Sequence, residues 1–325
     1  MFIIPVRDTI DMGLAFFIKR ALEEAERSRA ALVILDVNTF GGRVDAAVDI
    51  RDALDDCSIP TTAYVNKRAI SAGALICLAT KTIAMAPGST IGAATPVGLG
   101  PAGEKLQLGE KEVSYVRGEF RATAERNGHS PLLAEAMVDA DTEALAFFEN
   151  EKLRLVSRAE ADELRATDEM VKIEEISAKG KLLTMTASEA VRVGLAGSTP
   201  DSLDELISEL GLDPAEKIVA EISWSEYIVR FLTHPIVSGL LLTFGVLGIF
   251  FELQMPSWGV SGTVGAACLV LFFGGHYIAG LASFSDMLLF AVGLGLLAAE
   301  ILVVPGFGIT GVSGLLCILA GIYLA

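Results

Sequence analysis

Apolar residues follow two different patterns along the chain. Up to about residue 200, short apolar runs alternate with stretches in which apolar residues recur at three and four positions; beyond residue 230 the apolar runs are long and nearly unbroken. In the first region Met1-Phe-Ile-Ile-Pro-Val reads as a strand and residues 12–28 as a helix. Strand 31–37, helix 45–55, strand 61–65, helix 71–80 and strand 82–85 follow, then a Gly-rich loop from Pro87. This alternation predicts parallel βαβ units covered on both faces. Residues 111–127 and 131–155 read as two helices separated by Gly-His-Ser, with an extension through the acidic run 159–164 left open. Helices so placed often build subunit contacts, and a homo-oligomer is expected. Residues 173–184 read as a hairpin around Ala178-Lys-Gly-Lys181, and Thr186-Ala-Ser-Glu-Ala as a capped helix start that breaks at Gly194. A short helix and linker occupy 199–214. The expected division is a domain over 1–200, a linker over 201–230 and a membrane region over 231–325.

In the membrane region, 235–253, 263–281, 287–304 and 309–325 are each long enough to cross a bilayer core. Four spans are expected, with three plus a re-entrant segment as the alternative. The region repeats internally: Glu252-Leu-Gln-Met-Pro256-Ser-Trp-Gly-Val-Ser-Gly262 matches Glu300-Ile-Leu-Val-Val-Pro305-Gly-Phe-Gly-Ile-Thr-Gly311. Each copy reads as helix, acidic residue, Pro-Gly turn, helix. Glu252 and Glu300 either face the bundle interior or end their helices at headgroup level, and their place directly before the turns favours the second reading. The chain is thus a multi-pass membrane protein in contact with a lipid bilayer. Every Lys and Arg lies at or before Arg230, so loop charge leaves the orientation open.

Charge narrows the partners. The chain has 41 acidic and 25 basic residues, a net charge of −16, and only Glu252, Asp286 and Glu300 carry charge beyond Arg230. The mean hydropathy of +0.53 is set by the last hundred residues. An acidic soluble part argues against nucleic acid and against a polybasic grip on anionic lipid. Cys57, Cys77, Cys268 and Cys317 sit in or beside apolar runs without Cys-x-x-Cys pairing and read as small hydrophobes. No His-Cys-carboxylate cluster has metal spacing and no dinucleotide glycine motif follows a strand, so neither metal nor cofactor is expected.

The candidate chemistry centres on Ser71. It stands where a β-branched strand turns into an apolar helix, in Thr61-Thr-Ala-Tyr-Val-Asn-Lys-Arg-Ala-Ile-Ser71-Ala-Gly-Ala. A helix start offers unpaired N–H groups and a positive dipole end to a developing oxyanion. The plainer reading is an N-cap. A second element, Ala31-Leu-Val-Ile-Leu-Asp-Val-Asn-Thr-Phe-Gly-Gly-Arg43, is a strand run ended by polar residues and a Gly pair, where a substrate carbonyl can approach the main chain.

Four segments, Asn38-Thr-Phe-Gly-Gly42, Ser71-Ala-Gly-Ala74, Ala86-Pro-Gly-Ser-Thr-Ile-Gly-Ala-Ala-Thr-Pro96 and Gly180-Lys-Leu-Leu-Thr-Met-Thr-Ala-Ser-Glu-Ala-Val-Arg-Val-Gly-Leu-Ala196, occur in one order. Together they resemble the Clp-protease and crotonase superfold, and within it the membrane-bound NfeD family of ClpP-class serine proteases. The resemblance implies an α/β fold, a ClpP/crotonase-like βαβ protease domain followed by an all-α transmembrane bundle. It also implies an export segment ahead of the protease domain, although Met1 leads straight into a strand, and a small β-barrel domain after the membrane helices. Phe40 departs from the family's usual Pro before the Gly pair, which bears on substrate fit.

A serine needs a base. His129, His234 and His276 do not fall where soluble Clp proteases place theirs, so a Ser-Lys dyad leads. Lys111, in a segment resembling the family's dyad segment with Tyr115 one turn on, is the expected base; Lys105 and Lys67 are the rivals, and Tyr115 is expected to pack. A lysine acts as a base only when neutral, which desolvation and a helix N-terminus favour. The expected assignment is Ser71 and Lys111 catalytic, with Gly41, Gly42 and Ala72 forming the oxyanion hole. The resemblance implies a serine endopeptidase acting on apolar peptide segments of membrane partners such as stomatin- or flotillin-like proteins. The alternatives are a non-catalytic scaffold for such partners and, behind it, a crotonase-type thioester enzyme.

Overall fold

The computed structural model describes residues 1–99, 105–149, 152–167, 173–212, 216–254, 259–279, 281–302 and 308–324. The chain forms two compact units, Met1–Glu221 and Ile222–Ala325. The first unit runs through β1 (Phe2–Ile10), α1 (Met12–Arg27), β2 (Val33–Gly42), α2 (Val44–Asp56), β3 (Thr61–Ile70), α3 (Ala72–Leu78), β4 (Thr82–Met85), β5 (Thr90–Gly92), β6 (Val97–Leu99) and β7 (Lys105–Gln107). It continues with α4 (Glu110–Asn127), α5 (Pro131–Val138), β8 (Ala144–Glu149), β9 (Lys152–Val156), α6 (Arg158–Thr167), β10 (Ile173–Ser177), β11 (Thr184–Thr186), α7 (Ala187–Arg192), α8 (Leu203–Glu209) and β12 (Ile218–Val219).

The main sheet has the order β11-β5-β3-β2-β1-β12, with β4 also on β3. All its pairs are parallel except β5 with β11. Val33, Ile34, Leu35 and Val37 of β2 are buried on both faces, as a central parallel strand requires. On α1, Leu14, Phe17, Ile18, Ala21, Leu22 and Ala25 form the buried stripe, and the Asp11 carboxylate starts the helix by accepting the Leu14 N–H at 2.7 Å. Thr186 and Glu189 form the expected capping box of α7, and Gly194 follows at φ +76°.

Two expected elements are different. Residues 131–155 are not one helix: α5 ends at Val138, and β8, β9 and β10 form a separate antiparallel sheet. The reason is burial, since Ala144, Leu145, Ala146 and Phe147 are all buried, so β8 lacks the polar alternation that marks a strand. Nor do residues 173–184 pair as a hairpin. β10 joins β8, while β11 crosses to β5 in the main sheet. Strands β2 and β3 also run further than expected, through the Gly pair and up to Ser71.

The second unit comprises α9 (Trp224–Leu232), α10 (Pro235–Gln254), α11 (Val260–Ile278), α12 (Phe284–Leu302) and α13 (Ile309–Leu324). Among the described residues three helices, within α10, α11 and α12, are long and apolar enough to cross a membrane. The fourth expected span forms α13, equally apolar but 16 residues long.

The internal repeat is also a packing repeat. Gly245 and Gly293 each stand seven residues before the repeated glutamate, and Gly265 and Gly314 each nine after the repeated proline. A Cβ at Gly245 would lie 2.7 Å from the Leu269 side chain, and one at Gly293 2.8 Å from the Ile318 side chain and 2.8 Å from the Gly314 carbonyl. Both hairpins therefore close backbone to backbone through small residues. The repeated acids stand two residues before the ends of α10 and α12 and reach to the returning helix. Glu252 accepts the Gly262 N–H at 3.1 Å and the Ser261 hydroxyl at 2.6 Å. Glu300, only 3% exposed, accepts the Gly308 N–H at the start of α13.

A substitution pair on α12 tests this closure. Gly293→Ala is expected to lower the thermal stability of the detergent-purified protein, whereas Gly295→Ala, where a Cβ meets nothing within 4 Å, is expected to leave it unchanged or raise it by up to about 1 kcal/mol. Equal melting of the two variants would contradict the packing described.

Candidate active site

Ser71 joins β3 to α3 at φ +56° and ψ −123°. A side-chain-bearing residue holds such a conformation at a cost of about 1–3 kcal/mol. The serine hydroxyl gives no capping bond to α3, which removes the plain N-cap reading. A serine at a strained strand-to-helix corner is a feature that hydrolase nucleophile elbows share.

Gly41 makes the corner possible. A Cβ on it would lie 2.6 Å from Ser71 Cβ and 3.1 Å from Ser71 Oγ, at a φ of +102°. The Gly41 N–H donates to Thr39 Oγ1 at 3.0 Å, and the Thr39 hydroxyl donates to the Asp8 carbonyl at 2.5 Å. Thr39, buried beneath the site, thus fixes the turn of the Gly pair. The sequence offers one signal for this role, a hydroxyl two residues before a glycine that needs a side-chain acceptor.

The amides are now accountable. Gly41 N–H is used by Thr39, and Ser71 N–H donates to the Gly92 carbonyl at 2.9 Å. Arg43 N–H donates to Ile10 at 2.8 Å on the β1 side, so the alternation of the strand turns the Gly42 N–H toward β3, the side on which Ser71 lies. Ala72 N–H is the first amide of α3 and has no acceptor within the helix. Of the expected oxyanion amides, the Gly41 N–H is thus engaged by Thr39.

The other quoted segments meet here too. Gly92 lies against Ser71, Ala93 at φ +47° donates to the Leu183 carbonyl at 3.0 Å, and β11 pairs Thr184 with Gly92. Phe40 is 74% exposed, with the Arg68 guanidinium 4.3 Å above its ring, so an arginine-backed aromatic flanks the Gly pair.

Lys111 is exposed in the first turn of α4. The pairs Arg51–Glu119 at 2.6 Å and Arg126–Asp55 at 3.2 Å show that α2 and α4 run parallel. Counted back along equal rise from these pairs, the start of α2, which follows Gly42, lies level with residues 112–115 of α4. Lys111 so lies at the Ser71 end of the helical layer. Among the described residues no hydrogen bond joins it to Ser71. Lys67 is exposed on β3, and the side chain of Lys105 lies outside the described residues. Tyr115 is half exposed rather than packed; desolvation and then the neighbouring Glu119 push its phenol above the ordinary value. His129 belongs to the opposite end of α3, its Nε2 2.8 Å from the Thr80 carbonyl, and burial pushes its imidazole below the ordinary value.

The cap positions of α2, α3 and α4, namely Arg43, Ser71 and Gly109, give no side-chain hydrogen bond to their helices. Three helix N-termini at one end of the unit bias that end toward negative charge.

Residues 1–172 match the family described as NfeD1b, N-terminal domain, and residues 236–325 match the NfeD integral membrane domain. Membrane protein NfeD1b of Bacillus subtilis (strain 168) is 39% identical over 326 residues, covering 100% of this chain and 67% of its own length. Membrane-bound protease PH1510 of Pyrococcus horikoshii is 29% identical over 310 residues, covering 93% of this chain and 63% of its own length. The chain thus spans about two thirds of the length of these curated relatives. Among solved structures, a lysine-to-alanine variant of the 1510-N membrane-bound stomatin-specific protease, in complex with a substrate peptide, aligns at a TM-score of 0.54 with 20% identity, covering 71% of this chain and 96% of that one. A serine-to-alanine variant of the same protease aligns at 0.52 with 21% identity, covering 68% and 97%. The first unit shares their α/β fold, and the whole chain is a multi-pass membrane protein.

Two substitutions test the corner. Ser71→Gly is expected to be more stable than Ser71→Ala by about 1 kcal/mol, because only glycine relaxes this backbone. Thr39→Val, which leaves the Gly41 N–H and Asp8 carbonyl without their partner, is expected to cost about 1–3 kcal/mol. Thermal denaturation of the detergent-purified variants measures both, and a Thr39→Val protein as stable as wild type would show that the hydroxyl does not hold the turn.

Proposed function

The chain belongs to the NfeD family, and from that membership we propose that it is a membrane-bound serine endopeptidase with Ser71 as nucleophile and Lys111 as base. The observation that carries the reading is the strained Ser71 corner, uncapped and opened by Gly41. Ser71 Oγ attacks the scissile carbonyl carbon while the neutral Lys111 amine takes the hydroxyl proton. The oxyanion is held by the Gly42 and Ala72 N–H groups. Collapse breaks the C–N bond, the Lys111 ammonium returns the proton to the leaving amine, and an acyl ester remains on Ser71. Water, deprotonated by Lys111, then releases the acyl group and restores the serine.

That one aligned protease is a serine-to-alanine variant and the other a lysine-to-alanine variant supports this choice of residue types. The exposed Phe40 ring beside the Gly pair suits an apolar peptide segment. By analogy with the stomatin-specific relative, the proposed substrates and partners are stomatin- or flotillin-like membrane proteins, whose shared bilayer raises their effective concentration. The neutral Lys111 amine reaches Ser71 in this scheme by side-chain rotation at the first turn of α4.

The second reading, a non-catalytic scaffold, draws on the open geometry between Ser71 and Lys111. A fluorophosphonate probe separates the two. Labelling of the detergent-purified protein is expected, with loss in Ser71→Ala and in Lys111→Ala and retention in Lys67→Ala, all with unchanged circular dichroism. A folded protein that takes no label supports the scaffold. Labelling that survives Lys111→Ala but not Lys105→Ala moves the base to Lys105.

A further inference from the structure

We propose that α9 is an interfacial helix that lies against the lipid headgroup layer and begins the membrane-bound part ahead of the first span. The helix opens on a capping box, with the Glu226 carboxylate 2.6 Å from the Ser223 N–H and the Ser223 hydroxyl 3.3 Å from the Glu226 N–H. Its two faces differ sharply. Val229 is buried, and Leu232 meets α11, where a Cβ on Gly275 would lie 2.8 Å from the Leu232 Cβ. On the other face Trp224, Tyr227 and Phe231 are 81%, 66% and 63% exposed, with Ile228 beside them.

These four positions follow helical spacing of three, four and seven and make one continuous stripe. In water such a stripe is an uncovered apolar patch. The occupant that fits it is the bilayer interface, for two reasons. First, α9 ends at Leu232 and α10 starts at Pro235, so the stripe is continuous with an apolar helix of membrane length. Second, the same end of the bundle collects other exposed rings. Gly275 holds Leu232 there, the adjoining end of α11 carries Tyr277, α12 opens with Phe284, and Tyr323 closes α13, whose Gly321 abuts Phe290 near the start of α12. Indole and phenol rings with one apolar and one polar side gather at headgroup depth. The charged residues of α9 do not interrupt the stripe, since Glu226 is buried as the cap and Arg230 is not among the stripe positions. An amphipathic helix of this kind binds by the apolar area it sinks into the headgroup boundary. The integral membrane domain match starts at residue 236, after this helix.

The test uses the full chain reconstituted in phosphatidylcholine nanodiscs. The chain has two tryptophans, Trp224 and Trp258, and the emission difference between wild type and Trp224→Phe isolates Trp224. Lipids brominated near the glycerol end of the acyl chain are expected to quench that difference emission by about half or more, and lipids brominated near the chain end to quench it less. Aqueous acrylamide is expected to quench it weakly. Emission indifferent to both brominated lipids but strongly quenched by acrylamide overturns the proposal by placing the stripe in water. Indifference to both lipids and to acrylamide also overturns it and assigns the stripe to a protein partner, a second copy if Tyr227→Cys then cross-links between chains. Because proteolysis is not read, this result stands apart from the fate of the catalytic assignment.

Discussion

The Ser71 end of the first unit depends on an atom that is absent. Ser71 takes its positive φ only where β2 comes close enough to press on the corner, and β2 does so because Gly41 has no Cβ within 2.6 Å of the serine's own. Everything nearby serves that approach. Thr39 ties the Gly pair to the bulged end of β1, Gly92 takes the serine's N–H, and Gly73 lets α3 sit on Thr39, where a Cβ would lie 2.6 Å from the Thr39 methyl. Strain of about 1–3 kcal/mol persists at a residue only when its neighbours leave it no relaxed alternative.

Much of this was legible in the sequence, and for identifiable reasons. The order of β1, α1, β2, α2, β3 and α3 followed from apolar period alone, since each element buries one stripe or both faces. Ser71 stood out because a helix start sets unpaired N–H groups beside its hydroxyl, and the Gly pair because it follows a buried strand. The illegible parts fail for a common reason, that the deciding partner is remote in sequence. Strand β8 looks helical because both its faces are covered, one partner strand lying at Ile173–Ser177. Strand β11 belongs to β5 some ninety residues earlier. The use of Gly41 N–H by Thr39, rather than by a ligand, depends on a side-chain rotamer that spacing does not set.

The membrane unit shows a repeat doing structural labour that hydropathy does not reveal. Four apolar runs were legible by length; their grouping into two hairpins was legible only through Glu252, Pro256, Glu300 and Pro305. In lipid no hydrophobic drive brings two apolar helices together, so contact must come from close backbone approach and from satisfied polar groups. Gly245 with Gly265 and Gly293 with Gly314 supply the first, and the two glutamates serve the second by accepting the Gly262 and Gly308 N–H groups, with Glu300 Oε2 left buried and without a partner among the described residues. The Gly262 and Gly308 N–H groups, at the starts of the returning helices, find their acceptor in a carboxylate near the end of the preceding helix.

Helix starts therefore separate structure from chemistry in this chain. Where a helix only has to begin, a side chain caps it: Asp11 for α1, Ser130 for α5, Thr186 for α7, Ser202 for α8 and Ser223 for α9, with Glu252 and Glu300 doing the same across the membrane turns. The cap positions of α2, α3 and α4 forgo that bond, although Ser71 is among the best capping residue types. For Ser71 the unused cap forgoes roughly 1 kcal/mol. Had Ser71 only a structural task, its hydroxyl would turn back onto α3 and its backbone would relax. Among the described residues Ser71 instead makes no side-chain cap to α3 and keeps φ +56°, which suits the nucleophilic role proposed for it.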